Sequence, residues 1–180
     1  MVGGTALSLC YGHQKSEDLD LFSNTSFENS FIINALKKKF KKSFVNRSTS
    51  SGFGIFCFVD EVKIDIIRHP HPIIRPELRL DNIRMFATED IIAMKVQAIL
   101  GRGKKKDFWD VAELLNHFSI SDFIQLHKEK YATQNLLITV PQALTYFADA
   151  EESEDPVSLK KQTWDYVKEF INSKVSEYLK

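Results

Sequence analysis

The order of elements predicts an α/β (α+β) protein: a helix, a strand, a helix, several strands, then helices to the end. Short runs at 18–22, 43–47, 53–59 and 62–67 read as strands. After residue 88 the apolar pattern follows helical spacing. At 180 residues, with 43% hydrophobic residues and 14 phenylalanines, the chain can bury a sizeable core.

The chain is organised around its first 22 residues. Gly3 and Gly4 allow a backbone turn to approach a ligand closely. Thr5 follows at the start of a short helix that runs to Tyr11 and stops at Gly12. A helix N-terminus has free N–H groups and favours phosphate. Asp18, Leu19, Asp20, Leu21 and Phe22 then read as a strand, so Asp18 and Asp20 project from one face. Two neighbouring carboxylates repel each other unless a cation lies between them. A phosphate cradle at Gly3, Gly4 and Thr5, joined by one helix to a carboxylate pair, points to a metal–nucleotide site.

Ser26 is positioned to cap a helix running to Phe40, with Phe27, Phe31, Leu36 and Phe40 on its apolar side. Lys37, Lys38, Lys39, Lys41 and Lys42 end it, either as a solvated last turn or as a surface for an anion or RNA. Strands at 43–47, 53–59 and 62–67 follow, the last two joined by a tight turn at Asp60-Glu61. Asp65 lies in the apolar run Val62–Ile67 and needs a partner there, which can be a salt bridge or a metal. His69 to Pro76 reads as an exposed loop, because His69 and His71 have no third metal ligand nearby. Residues 83–86 read as a short edge strand.

Thr88 is placed to cap a helix to about Leu100, with Glu89 and Asp90 in its first turn. Lys95 falls on or beside the apolar face of that helix. Its stem either packs with the amine in water, or the amine reaches a triphosphate. Gly101 and Gly103 break the helix, and another is expected from Lys105 to His117. Asp107 lies at the edge of its buried stripe and Asp110 is less constrained. Gly103-Lys104-Lys105-Lys106 lacks the earlier glycine, the Ser/Thr and the leading strand of a P-loop. Beyond this lie a helix from Ser121, a helix over 135–147 interrupted near Pro141, and an acidic linker over 150–156. A long helix over 158–179 closes the chain, with Leu159, Val167, Phe170, Ile171 and Tyr178 on its buried side and Trp164 in the core.

Lys and Arg number 24, as do Asp and Glu, so bulk positive charge is excluded as a means of coating nucleic acid. Cys10 and Cys57 read as reduced, buried thiols rather than a disulfide framework. No run is long and apolar enough to span a bilayer, and no signal peptide is visible, so no membrane partner and a cytoplasmic location are expected.

Two blocks of residues resemble the AbiEii/AbiGii-type toxin family of the nucleotidyltransferase superfamily. The first is Gly3-Gly4-Thr5-Ala6-Leu7, Gly12-His13-Gln14-Lys15-Ser16 and Asp18-Leu19-Asp20-Leu21-Phe22. The second is Ala93-Met94-Lys95, Ala98, Arg102 and Lys106-Asp107-Phe108-Trp109-Asp110. The family usually has arginine where Gln14 stands; Lys15 could supply the charge, but on a different vector and without a planar fork. It also usually has a helix and a short strand ahead of the double glycine, where this sequence has Met1 and Val2.

The resemblance implies a small mixed sheet flanked by helices: a nucleotidyltransferase core over 1–87 and a helical region over 88–180 packed on it. It implies Mg²⁺ on Asp18, Asp20 and Asp65, nucleotide phosphates held by Gly3, Gly4, Thr5 and Lys95, and Asp107 orienting Lys95 or the nucleophile. The reaction would pass a nucleotidyl group from a nucleoside triphosphate to an acceptor hydroxyl, RNA being one candidate, with release of pyrophosphate. A cognate antitoxin is the implied partner. Two alternatives stand beside this: a truncated, non-catalytic remnant that binds nucleotide or a partner, and a metal-dependent phosphohydrolase built on the same aspartates.

Overall fold

A computed structural model of the chain describes residues 1–48 and 52–180. Asp60 and Glu61 both adopt positive φ, 47° and 71°. This two-residue turn suits the twist of a hairpin and joins strand β3 (Gly54–Val59) to β4 (Val62–Arg68). Strand β2 (Phe44–Asn46) adds antiparallel to β3, and β1 (Leu19–Ser23) adds parallel to β4. The result is a mixed four-stranded sheet in the order β1-β4-β3-β2.

Alternation along the strands gives the sheet two different faces. Ile64 and Ile66 of β4, Ile55, Cys57 and Val59 of β3, and Phe44 of β2 turn to one side. They are covered by helix α2 (Asn29–Phe40) through Ile32, Ile33, Leu36 and Phe40, with Phe27 just before it. The opposite face carries Asp20, Lys63, Asp65, Phe56 and Phe58. Helix α2 starts two residues later than Ser26 would place it; Glu28 precedes it without a side-chain cap. That start puts Ile32 and Ile33 on the buried stripe and leaves Phe31 76% exposed.

The larger core lies elsewhere. Helix α1 (Gly3–Tyr11) packs on α3 (Thr88–Gly101) and α4 (Lys105–Leu114), and adds Ala6 and Leu7 to a core shared with α5 (Ile120–Lys130), α6 (Val140–Leu144) and α7 (Trp164–Tyr178). Val2, Ile92, Val96, Phe108, Trp109, Leu114 and Ile171 are buried in this core, and Trp109 stacks on Trp164 with ring centroids 5.5 Å apart. Met1 and Val2 tie β1 to the strand before α3: the Val2 N–H donates to the Asp20 carbonyl, and the Phe86 N–H donates to the Met1 carbonyl.

Several local expectations shift, each for a visible reason. Residues 83–85 form β6, paired with β5 (Leu78–Leu80) in a separate hairpin rather than on the edge of the main sheet. Thr88 is the first residue of α3, and Ala87 is its N-cap. Helix α4 ends at Leu114, and α5 is capped by Ser119, whose reciprocal box with Asp122 sets its start at Ile120. Around Pro141 only α6 forms, because Thr139 and Gln142 make the same kind of box there and place Pro141 in the first turn. Thr163 caps α7, so 158–163 is not helical, and Leu159 and Tyr178 are exposed while Trp164, Val167 and Ile171 are buried. Cys10 is exposed and Cys57 buried.

The His69 loop is not an exposed loop at His69. That ring is buried among Phe22, His71, Phe86 and Tyr131, and burial lowers its pKa to about 4. Asp90 and Lys130 form a fully buried ion pair at 2.6 Å beside it. Asp90 also accepts from the N–H groups of Ile74 and Arg75, and Lys130 donates to the Pro72 carbonyl. These bonds satisfy loop backbone that would otherwise have to face water.

Candidate active site

The first turn of α1 lies against β1. Gly3 has φ 73°, and a Cβ there would come within 2.6 Å of Asp20 Oδ2. Both the backbone and the neighbouring carboxylate therefore require glycine. Gly4 has more room: a Cβ would meet Asp110 Oδ2 at 3.5 Å, an ordinary contact. The Thr5 hydroxyl is engaged by Ser16 Oγ at 2.7 Å and by the Asp18 carbonyl. It pins the approach to β1 and leaves the backbone of this turn, rather than the hydroxyl, as the donor surface for a phosphate.

Asp20 and Asp65 are register partners on the parallel strands β1 and β4. Asp18 stands two residues before Asp20, half-exposed, with Lys106 Nζ 3.8 Å from its Oδ2. Lys63 donates to Asp65 Oδ2 at 2.8 Å. The other Asp65 oxygen, Oδ1, is buried and finds no hydrogen-bond partner among the described residues. Burial, and then the charge on Asp65, push the Asp20 carboxyl up; Lys63, Lys95 and Lys106 only partly offset them. Lys63 is raised despite burial, through its bond to Asp65 and the charges of Asp65, Asp18 and Asp20.

No group of three His, Cys, Asp or Glu side chains among the described residues is close enough to enclose a metal ion. The donors still suit magnesium, a hard cation that one or two carboxylates hold while it keeps several waters and takes substrate phosphate. Asp20 beside Asp65, with a buried oxygen lacking a donor, fits that description. Asp18 adds a third carboxylate at the cleft.

A second cluster lies behind the cradle. Lys95, from α3, is buried with its Nζ 2.8 Å from Asp107 Oδ1 and 2.5 Å from Asp110 Oδ2. Asp110 Oδ1 also receives Gln14 Nε2 at 2.6 Å and lies 2.7 Å from His13 Nε2. Burial would raise the Asp110 carboxyl, but Lys95 and His13 outweigh it and hold it below the usual range. Burial would likewise lower the Lys95 ammonium, and the two aspartates raise it instead. Asp107 accepts from the Lys104 N–H in the capping box of α4.

Asp110 is therefore the hub of the network and not a loosely held first-turn acid, and His13 and Gln14 are its partners. The i, i+3 spacing of Asp107 and Asp110 was the signal, since it puts both on one side of α4 facing Lys95. Gln14, at the family's arginine position, makes a buried structural bond to Asp110 and another to the Lys106 carbonyl.

Gly4, Asp18, Asp20, Lys95, Asp107 and Asp110 border a cleft of about 640 Å³ together with Arg102, Lys104 and Lys106. Its opposite wall is the acidic segment 152–157, which the sequence presents as a linker. That segment is strapped down: the Lys15 N–H donates to the Val157 carbonyl, the Leu159 N–H to the His13 carbonyl, and Lys105 pairs with Asp155. Asp65 lies beside Asp20 but is not among the residues lining the cleft.

The fold is that of the nucleotidyltransferases. It is similar to two Helicobacter pylori crystal structures, each with a TM-score of 0.57 at 17% identity. One, assigned as a nucleotidyltransferase, is matched over 98% of this chain and 86% of its own; the other, JHP933, over 96% and 80%. The profile of the nucleotidyl transferase AbiEii toxin family, of type IV toxin–antitoxin systems, matches residues 1–173, and the chain belongs to that family. It is also 30% identical to an uncharacterised Aquifex aeolicus protein, aq_aa25, over 99% of this chain and 87% of that one. No helix among the described residues is long and apolar enough to cross a membrane.

Proposed function

We propose that the chain is a Mg²⁺-dependent nucleotidyltransferase of toxin type that joins a nucleotidyl group to an acceptor hydroxyl, with RNA as the candidate acceptor. The observation that carries this is the pairing of Asp20 with Asp65 across β1 and β4, with one Asp65 oxygen buried and unbonded. Asp18, Asp20 and Asp65 would hold magnesium, which neutralises phosphate charge and favours ionisation of an attacking hydroxyl.

The chain's own residues do the rest. The Gly3–Gly4 turn offers backbone N–H groups at the start of α1 to the triphosphate. Arg102, Lys104 and Lys106 supply positive charge along the cleft. Asp65 accepts the acceptor's proton as its oxygen bonds to the α-phosphorus and the bond to pyrophosphate breaks. Lys95 acts with Asp107 by fixing Asp110, His13 and Gln14 behind the cradle. The type IV toxin–antitoxin membership supports a cognate antitoxin as the biological partner.

The test is incubation with each α-labelled nucleoside triphosphate, total RNA and magnesium. Labelled RNA and pyrophosphate are expected, and both should vanish with Asp20→Asn. Inorganic phosphate in place of pyrophosphate would favour the phosphohydrolase. A second reading rests on Lys63, whose ammonium already neutralises Asp65 as a resident cation would. A non-catalytic protein would bind nucleotide tightly and turn none over.

A further inference from the structure

Two transverse rows cross the face of the sheet opposite α2. In the first, Asp20 on β1 partners Asp65 on β4, and Asp65 partners Phe56 on β3. The Arg47 N–H donates to the Phe56 carbonyl at 2.8 Å, extending this row past the end of β2. In the second, Lys63 on β4 partners Phe58, and Phe58 partners Val45 on β2. Partnered residues project to the same side. The first row therefore reads acid, aromatic, base, and the second base, aromatic, aliphatic.

The aromatic part of this face is open. Phe56 and Phe58 are half-buried, and among the described residues they join neither hydrophobic core. Phe53 is 75% exposed and stands edge-on to Phe56, with centroids 5.6 Å apart. A hollow of about 310 Å³ beside Phe58 is bounded by Ser43, Val45, Arg47 and Glu61. Arg47 is exposed on the β2 side, and Lys63 lies on the carboxylate side with one bond to Asp65.

We propose that this band docks the acceptor, and that the acceptor is an unpaired stretch of nucleic acid. Its bases stack on Phe53, Phe56 and Phe58, and its phosphates lie against Arg47 and Lys63. This rests on the nucleotidyl-transfer reading. Single strands are held by exposed rings beside cations, because every base has a flat face and every link a negative charge. A duplex keeps its bases stacked inside and cannot use the rings. Lys63 on the carboxylate side and Arg47 on the β2 side flank the rings, the arrangement that lets phosphates pair while bases stack. Phe56 is one strand from Asp65, about 5 Å, so a base on that ring leaves its ribose hydroxyl near the carboxylates.

The test measures binding without chemistry. Fluorescence anisotropy with a labelled mixed-sequence RNA 12-mer, in the absence of nucleotide and magnesium, gives the Kd of the full chain. Phe53→Ala should raise Kd about five-fold or more, Phe58→Ala similarly, and Phe53→Trp should restore it. Arg47→Ala should lower the slope of log Kd against log salt by about 0.7. Phe31→Ala, an exposed ring on α2, should change nothing. Unchanged affinity in both Phe53→Ala and Phe58→Ala would overturn the proposal, as would equal affinity for a duplex or equal loss in Phe31→Ala. If Phe53→Ala and Phe58→Ala weaken RNA binding but no nucleotidyl transfer occurs, the docking band stands and the transfer reading falls. If transfer to RNA proceeds at wild-type efficiency in both variants, the transfer reading stands and the band falls.

Discussion

Replacing Lys95 with Met removes the cation from a fully buried cluster while keeping an apolar stem of similar length. The ammonium is 2.8 Å from Asp107 and 2.5 Å from Asp110, and both carboxylates are buried. Without it, Asp110 keeps His13 and Gln14, and Asp107 keeps the Lys104 N–H, but their charges lose the buried cation that balances them. Breaking one side of a buried ion pair costs about 3–5 kcal/mol. Set against a total stability of about 5–15 kcal/mol, this is a large loss. For a chain of this size it should lower Tm by about 6–20 °C. The assay is urea unfolding at pH 7 followed by circular dichroism, run beside nucleotide titration on the folded fraction. Adding Asp107→Asn to Lys95→Met should recover part of the loss by removing one stranded charge. A variant within about 0.5 kcal/mol of the parent that nonetheless binds triphosphate poorly would refute the reasoning. Lys95 would then be a ligand for phosphate and not a strut.

Asp65→Asn should abolish transfer, while stability without magnesium stays level or rises slightly, because repulsion with Asp20 is relieved and the partly exposed Lys63 pair is worth little; a metal-free melt and the labelled-nucleotide assay check both. Gly3→Ala should destabilise by about 1–2 kcal/mol through its left-handed backbone, with further cost from the Asp20 contact, whereas Gly4→Ala should fold normally; thermal melts of the two separate them. The Lys95–Asp110 stabilisation should be fully present between about pH 4 and pH 10, since the folded carboxyl is lowered and the folded ammonium raised. It is lost as acid protonates Asp110 or as alkali deprotonates Lys95, and denaturant midpoints across pH report it. His69 is lowered from 6.5 to about 4, so the unfolded chain takes up its proton first and stability should fall on acidification through that interval; His69→Gln should flatten this part of the profile.

Strand alternation and the Gly12 stop were legible because they depend on neighbours in sequence. The alternation that sends Ile64 and Ile66 to α2 also sends Lys63 and Asp65 to the other face. Pairing of Asp65 with Asp20 was foreseeable only as a requirement of charge, since the parallel register is fixed by the crossover through α2. Helix starts were less legible. Ser26 has no acid three residues on, whereas Ser119, two residues before the expected start at Ser121, has Asp122 to return the bond to its own N–H. The role of Asp110 was hidden for a different reason. Its partners come from the segment after α1 and from α3, so its i, i+3 spacing from Asp107 is the one local mark that sets it apart from an ordinary first-turn acid. The acidic stretch 152–157 likewise has the composition of a linker. It becomes a wall of the cleft because its backbone bonds to the residues after Gly12, and those residues are set by Ser8, which donates to the Gln14 carbonyl, and by Thr5.

The two clusters differ in how their charges are paired, and that difference divides their roles. Around Asp110 one buried cation serves two acids: Lys95 is held between Asp107 and Asp110, and the neutral Gln14 adds a donor where the family usually places an arginine. Glutamine gives Asp110 one neutral hydrogen bond there, without the charge or the planar fork of a guanidinium. Around Asp20 the balance is left open. Asp20 is pushed up by burial and then by Asp65, and Asp65 keeps a buried oxygen without a donor among the described residues. A buried carboxylate pair left short of positive charge is costly unless something completes it. The closed cluster therefore reads as the frame of the site, and the open one as the place where a cation and its phosphates would do the chemistry.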